Sequence, residues 1–344
     1  MNIDELKTVA RAIVAEHKGL LAADESGPTI KKRFDSVKLE STEETRRRYR
    51  EILFTTRGIE QTIGGVILFD ETLRQTTADG IPFAELLLRR GIMPGIKVDQ
   101  GAKELALHSG NKITEGLDGL RGRLAEYRQL GAKFAKWRAV IEIGERDIPS
   151  AYAIHANAHA LARYAALCQE AGIVPIVEPE VLMDGAHGIE RCKAVTSQVL
   201  EAVFSELDAH GVEFEAMLLK PNMVIPGKKC ARQASEQEVA EATIHCLIHY
   251  VPAAVPGIVF LSGGQSPEHA TCHLNAMNMR GPHPWQLSFS YGRALQEPVL
   301  STWKGLESNV AAAQMAFLKR CLLNGLACAG TYTRDMETAD LFNR

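Results

Sequence analysis

The feature that most constrains this chain is an eightfold recurrence. Short apolar, β-branched runs alternate with longer stretches of helical periodicity, and each run closes on a Gly, Pro or polar cluster, the pattern of βα units feeding a parallel sheet. The spacing predicts strands at Leu20–Asp24, Gly65–Phe69, Pro94–Val98, Phe134–Ala139, Val174–Pro179, Ala216–Pro221, Gly257–Ser262 and Trp285–Ser290. The runs show little alternation, as strands buried on both faces require. Eight units of this kind close most economically as an α/β (β/α)8 (TIM) barrel. A length of 344 residues suits one barrel domain, 1–344, with a short C-terminal tail from about residue 331.

The segments between the runs carry helix punctuation. Ser41 stands three residues before Glu44, which predicts a capping box opening the helix that precedes the second strand. From Thr114 to Gly131, Leu117, Leu120, Leu124 and Tyr127 recur at helical spacing and predict a helix stopped by the glycine. Ser150–Gly172 and Gly188–Gly211 fill the next two helical slots, and the weakly hydrophobic Met336–Arg344 reads as a surface tail.

Charge and cysteine usage narrow the function classes. A formal net charge of −3 gives no global field for nucleic acid or anionic lipid, so an anionic substrate would need a local basic site. No nucleic-acid partner, no membrane span and no leader peptide are expected. Seven scattered cysteines without a CxxC pair suit reduced thiols in a cytoplasmic protein.

Polar and charged residues interrupt the predicted strands mainly at their C-terminal ends: Asp24, Lys97, Lys136 and Arg138, Glu178 and Glu180, Lys220, Ser262, and Arg293 just beyond the last strand. In a (β/α)8 barrel those ends converge on the face that carries active sites. Period-two alternation aims Lys136 and Arg138 to one side of their strand, and likewise Glu178 and Glu180. A lysine partly desolvated there, beside a second cation, has its ammonium form disfavoured and offers a nucleophilic amine; Lys220 near Lys136 fits. Neighbouring carboxylates can then move the protons of imine formation and hydrolysis. Ser262-Gly263-Gly264 and Tyr291-Gly292-Arg293 follow the seventh and eighth strands, where barrels place phosphate sites, and Lys32 and Arg33 after the first strand are candidates for a second anion site.

Each signal alone has a plainer reading: a lone strand-end lysine is usually a solvated rim residue, and a Gly pair is common turn material. Convergence on one mouth raises the weight. The histidine pairs His155/His159, His245/His249 and His269/His273 each lie four apart, but with no HExxH and no third ligand they read as surface or core histidines. Arg46-Arg47-Arg48 reads as a solvated or subunit-contact face, and Cys272 as a buried structural thiol.

The pieces LAADES, GIKVDQG, GLDGL, FAKWRAV, PIVEPEVL, LLKPNM, LSGGQS and SFSYGRALQ, spread over nearly the whole chain, resemble class I fructose-1,6-bisphosphate aldolases. The resemblance implies a metal-independent, cytoplasmic homotetramer of glycolysis and gluconeogenesis. It would cleave fructose 1,6-bisphosphate reversibly to dihydroxyacetone phosphate and glyceraldehyde 3-phosphate, with no cofactor beyond a covalent imine on Lys220. It further implies that Glu178 is the general acid/base, that Glu180 supports Lys220, and that Lys136 and Asp24 polarise the substrate hydroxyls with Arg138 in their charged network. Ser262, Gly263 and Arg293 would hold one phosphate of the sugar, and Lys97, Arg33 and Ser26 would serve the other end.

Two departures from the family pattern stand out. Gly27-Pro28-Thr29 replaces the usual Thr-Gly-Ser after LAADES, so that loop is expected to differ. The chain ends Leu341-Phe342-Asn343-Arg344, without the terminal tyrosine by which animal enzymes assist enamine proton exchange, so another group or water is expected to do that work. The rival readings are a different Schiff-base sugar-phosphate barrel, a metal-dependent aldolase resting on the histidine pairs, and a scaffold that has kept the fold.

Overall fold

In the computed structural model, which describes residues 2–145 and 148–339, the chain forms ten strands. These are β1 (Gly19–Ala23), β2 (Ile63–Leu68), β3 (Met93–Lys97), β4 (Ala102–Glu104), β5 (Lys112–Thr114), β6 (Phe134–Ile141), β7 (Val174–Val181), β8 (Leu218–Leu219), β9 (Gly257–Phe260) and β10 (Gln286–Tyr291). Eight of them pair in parallel as a closed ring in the order β1-β10-β9-β8-β7-β6-β3-β2, with helices between, a (β/α)8 TIM barrel. The remaining two, β4 and β5, make a small antiparallel hairpin after β3.

All eight expected runs are barrel strands. The sixth expected run, Ala216–Pro221, contributes only Leu218–Leu219, because Phe214–Ala216 winds into a 3-10 turn and Pro221 has no N–H for the ladder. Lys220 still donates its N–H to the Val177 carbonyl at 2.8 Å, which pins the residue to β7.

Three local expectations shift. The capping box sits one residue later than Ser41/Glu44: the Thr42 hydroxyl accepts from the Thr45 N–H (3.1 Å), and the Thr45 hydroxyl accepts from the Thr42 N–H (2.8 Å). The helix expected from Thr114 begins at Leu120, because Thr114 pairs with Ala102 in the hairpin and Gly116 and Gly119 take positive φ angles of 124° and 69°. The stretch read as a surface tail is docked in its first part: Tyr332 is buried and donates to Glu337 Oε1 at 2.9 Å, and Glu337 receives Arg320 at 2.6 and 2.7 Å. Residues 340–344 lie outside the described residues.

The expectations for the basic run and the cysteines meet definite surroundings. Arg46 pairs with Glu71 (2.6 Å), Arg47 with Glu51 (2.7 Å) and Glu44 (2.8 Å), and Arg48 with Glu307 (2.7 Å), so carboxylates of this chain already answer that charge. All seven cysteines are free, and Cys272 is buried. Among the described residues no helix is long and apolar enough to cross a membrane.

Two apolar layers hold the ring. Outside it, the strands pack on the helices through a core that includes Trp137 against Tyr164, ring centroids 5.6 Å apart. Inside it, Leu20, Ile67, Phe134, Ile176, Leu218 and Val259 fill the barrel together with Leu6, Ala10 and Ile13 of the helix Ile3–Ile13. Those three helical residues recur at i, i+4 and i+7, so a single amphipathic stripe closes the end of the barrel opposite the charged strand termini.

The seating of that helix depends on a glycine. A Cβ at Gly64 would stand 2.1 Å from the Ile13 carbonyl oxygen, a backbone atom that cannot swing aside. Gly64→Ala should therefore destabilise the chain by about 1–3 kcal/mol or more through overpacking. The readout is a lower urea midpoint at unchanged slope, and an unaltered midpoint would show that the helix does not depend on this contact.

Candidate active site

The central charged residues of this site hang from the ends of barrel strands, which is why residues distant in sequence can meet. Asp24 follows β1, Lys97 ends β3, Lys136 and Arg138 lie in β6, Glu178 and Glu180 in β7, and Lys220 follows β8. The β6–β7 register sets Arg138 opposite Glu178 and Val140 opposite Glu180. The alternation read from the sequence thus becomes a pair of adjacent inward rows.

At the centre, two lysine side chains share one carboxylate. Glu178 Oε1 is 3.2 Å from Lys220 Nζ, and its Oε2 is 3.3 Å from Lys136 Nζ. Lys220, Glu178 and Lys136 are only 4%, 4% and 3% exposed. Glu178 Oε2 has no directed hydrogen bond among the described residues, which leaves a buried lone pair facing the mouth. Lys136 also reaches Asp24 (2.8 Å) and Asp99 (3.8 Å).

At Lys136 the surrounding carboxylates decide the charge state. Burial would push the Lys136 ammonium down, but Asp24, Glu178 and Asp99 outweigh it and hold it above its ordinary 10.5. Burial also works against the Asp24 carboxylate, and Lys136, Lys220 and Lys97 more than reverse that, holding Asp24 below its ordinary 3.8. Lys136 and Asp24 thus stay charged across the neutral range, one a fixed donor and the other a fixed acceptor.

Several sequence expectations are redirected by these partners. Glu180 pairs with Arg138 and not with Lys220: the contact runs diagonally across the β6–β7 ladder, from Glu180 to the cation two residues before the Val140 that faces it. Arg138 joins the network near Lys136, as its N–H donates to Asp99 Oδ2 at 3.2 Å. Lys97 folds onto Asp99, reaching Oδ1 at 2.6 Å and the carbonyl oxygen at 2.7 Å. Arg33, expected at the same end as Lys97, is instead paired with Glu25, and its guanidinium lies beside Gly292, one residue from Arg293. Ser26 caps the helix Gly27–Asp35 without a side-chain cap bond, and its hydroxyl meets Thr29 at 3.1 Å. Lys32 is exposed.

The loop after β9 and the start of the helix Arg293–Trp303 form a cationic corner. Ser262 is buried, and Gly263 and Gly264 take φ of 58° and 84°, so their N–H groups turn in a way a side chain would resist. A Cβ at Gly264 would come within 2.8 Å of Arg293 Nη2 and 2.9 Å of Lys228 Nζ. Exposed amides, a guanidinium and an ammonium at one spot are what a phosphate dianion requires.

Three residues of this site were not singled out from the sequence. Asp99, two residues past β3, ties Lys97, Lys136 and the Arg138 amide together; its place after a strand end was the available signal. Buried Glu25 bridges Arg33 and Arg50, and Gln296 donates to it at 2.9 Å while accepting from Arg50 at 3.0 Å. Lys228 comes from a loop beyond the strand ends, where no spacing rule points to it.

A charge-balance test follows from the Lys136 cluster. Asp24, depressed, lends stability that is fully present above its ordinary 3.8 and is lost as pH falls, whereas Lys136, raised, lends stability present below 10.5 and lost as pH rises. Lys136→Met removes the cation that most strongly depresses Asp24 and leaves buried carboxylates facing one another. The variant should lose about 3–5 kcal/mol near neutral pH. That loss should shrink as pH drops from ~8 to ~4, because the folded state then gains a proton the unfolded chain does not yet hold. Urea melts at the two pH values measure it, and a loss independent of pH would show that Asp24 is balanced by other groups.

Comparison with known proteins identifies the family. Residues 5–343 match the sequence profile of the family described as fructose-bisphosphate aldolase class-I. A Xanthomonas axonopodis pv. citri protein named probable fructose-bisphosphate aldolase class 1 is 57% identical over 333 residues, 96% of this chain and 99% of its own length. Fructose-bisphosphate aldolase 6, cytosolic, of Arabidopsis thaliana is 54% identical over 338 residues, 98% of this chain and 94% of its own. Plasmodium falciparum fructose-bisphosphate aldolase, solved in complex with TRAP and a small-molecule inhibitor, superposes with a TM-score of 0.95 at 51% identity, covering 96% of each chain. The chain belongs to the class I fructose-bisphosphate aldolase family of carbon–carbon lyases.

Proposed function

We propose that this chain cleaves fructose 1,6-bisphosphate reversibly to dihydroxyacetone phosphate and glyceraldehyde 3-phosphate through a Schiff base on Lys220. The observation that carries the proposal is the buried contact of Lys220 Nζ with Glu178 Oε1 at 3.2 Å, inside a mouth lined by Lys136 and Asp24. A proton can pass between amine and carboxylate directly at that distance.

The uncharged Lys220 amine adds to the C2 carbonyl of the open-chain ketose. Glu178 gives the proton with which the carbinolamine hydroxyl departs as water. Its carboxylate then takes the C4 hydroxyl proton as the C3–C4 bond breaks and the iminium takes up the bonding pair. The enamine carbon afterwards regains a proton from another group or water, and water hydrolyses the imine to free Lys220. Asp24, an enforced anion, accepts a hydrogen bond from a substrate hydroxyl at the scissile bond, and Lys136, an enforced cation, stabilises the negative charge that develops on oxygen there. Glu180 holds Arg138 and so fixes the second row of the β6–β7 pair. Ser262, Gly263 and Arg293 bind one phosphate, with Arg33 next to Gly292 on the same side; Lys97 and Ser26 serve the other end. Family membership supports a homotetramer that acts in the cytoplasm in glycolysis and gluconeogenesis, on a phosphorylated sugar, without metal or other cofactor and without nucleic-acid or membrane partners.

Borohydride reduction in the presence of fructose 1,6-bisphosphate should attach the sugar to Lys220 alone, as mapped by peptide mass, and Lys220→Met should abolish the adduct; labelling of another lysine would end the assignment. Glu178→Gln should slow turnover by roughly 10²–10⁴-fold. Arg293→Ala should act on KM far more than on kcat for the bisphosphate, and unchanged affinity would remove the guanidinium from the phosphate site. Cleavage should survive exhaustive chelation, and its loss would favour a metal-dependent route.

A further inference from the structure

Away from the barrel mouth, two neighbouring helices of the outer layer bring four metal-type donors together. The helix Ala151–Glu170 carries His155 and His159, and the helix Ile189–Ala209 carries Glu206, with His210 as its C-terminal cap residue. Each helix thus offers an i,i+4 pair on one face, the spacing that lets two side chains address a single ion. The sequence displayed the His155/His159 pair without a third ligand; packing of the second helix supplies it.

The donors converge on Glu206. Its Oε2 is 3.0 Å from His159 Nδ1 and 3.7 Å from His210 Nδ1, and its Oε1 is 3.4 Å from His155 Nδ1. One donor atom from each of His159, Glu206 and His210 lies within 4.8 Å of the other two. Ligands about 2.0–2.2 Å from a tetrahedral ion stand roughly 3.3–3.6 Å from one another, so the separations between the imidazoles and the Glu206 carboxylate are near that spacing. The His159 and His210 rings meet edge to face, 5.0 Å between centroids at 63°.

The surroundings support binding as well. Glu206 and His210 have side chains only 18% and 24% exposed, so they are held in place, while His159 at 47% keeps the site open to solvent. His210 Nδ1 is also 2.9 Å from the Glu206 carbonyl oxygen, a contact that holds the ring beside the Glu206 carboxylate. His159 and His210 also line a cleft of 510 Å³ with Leu117, Leu120 and Arg163, which provides an entry path and room for a non-protein ligand.

We propose that His159, Glu206 and His210, with His155 as a fourth donor, form a site for one borderline divalent transition-metal ion such as Zn²⁺. Imidazole nitrogens with a single carboxylate select Zn²⁺, Co²⁺, Ni²⁺ or Cu²⁺ over Ca²⁺ and Mg²⁺, which need more oxygen ligands. The ion clips the two helices together on the outside of the barrel and takes no part in chemistry at Lys220.

The test uses the full chain, stripped by a chelator and then dialysed free of it. Titration with Zn²⁺ by calorimetry should show one equivalent per chain, and Co²⁺ should give the absorption of a nitrogen and oxygen site with no thiolate charge-transfer band. His159→Ala/His210→Ala and, separately, Glu206→Gln should each weaken binding on the order of 100-fold or more. Both variants should keep the aldol cleavage rate of the parent, which shows that they fold. No stoichiometric binding by the parent, undiminished binding by the folded variants, or a thiolate band assigning the ion to a cysteine would each overturn the site.

Discussion

The structure is organised around the cost of placing charge inside a barrel. An isolated ammonium or carboxylate with a few percent of its surface in water is strongly disfavoured, and it persists only where partners compensate it. Lys136 meets that condition with three carboxylates from three different strand ends, Asp24 after β1, Asp99 after β3 and Glu178 in β7. Because no two of those carboxylates come from one strand, the compensation exists only when the ring is closed in its native order. The charged centre therefore depends on the fold, and the placement of Lys220 against Glu178 depends on the charged centre.

The apolar scaffold makes that arrangement rigid. Phe134 fills the barrel interior so closely that a Cβ at Gly95 would come within 2.2 Å of its ring, and the helix Ile3–Ile13 closes the end away from the charges. The layer below the strand ends is thus apolar and buried. A second buried hub, Glu25 with Arg33, Arg50 and Gln296, ties the first βα loop to the helix beginning at Arg293. Gln296 further donates to the Ala22 carbonyl at 2.7 Å, so a hydrogen bond joins the helix that begins at Arg293 to the β1 end.

The two classes of polar cluster in this chain differ in physics. At the barrel mouth, charges of both signs are buried and fixed, which suits a reaction that must build and discharge charge at set positions. On the outer helices, His155, His159 and His210 gather around one carboxylate at partial exposure, with neutral-capable imidazoles in place of permanent cations. The first arrangement polarises a substrate, and the second offers lone pairs.

Local chemistry alone determined a good deal: eight apolar runs in βα alternation required a parallel barrel, and the charges at their C-terminal ends marked the mouth, Lys220 and Glu178 among them. Period-two alternation also set the shared facing of Lys136 with Arg138 and of Glu178 with Glu180. Which cation meets which carboxylate was decided only in three dimensions. Glu180 takes Arg138 and leaves Lys220 to Glu178, Asp99 becomes a hub, Arg33 turns to the Gly292 side, and His159 finds Glu206 and His210 on another helix. The physical reason is that periodicity encodes the direction of a side chain relative to its own strand or helix. Partners across the ring are fixed by register, closure and helix packing, which sum contributions from the whole chain.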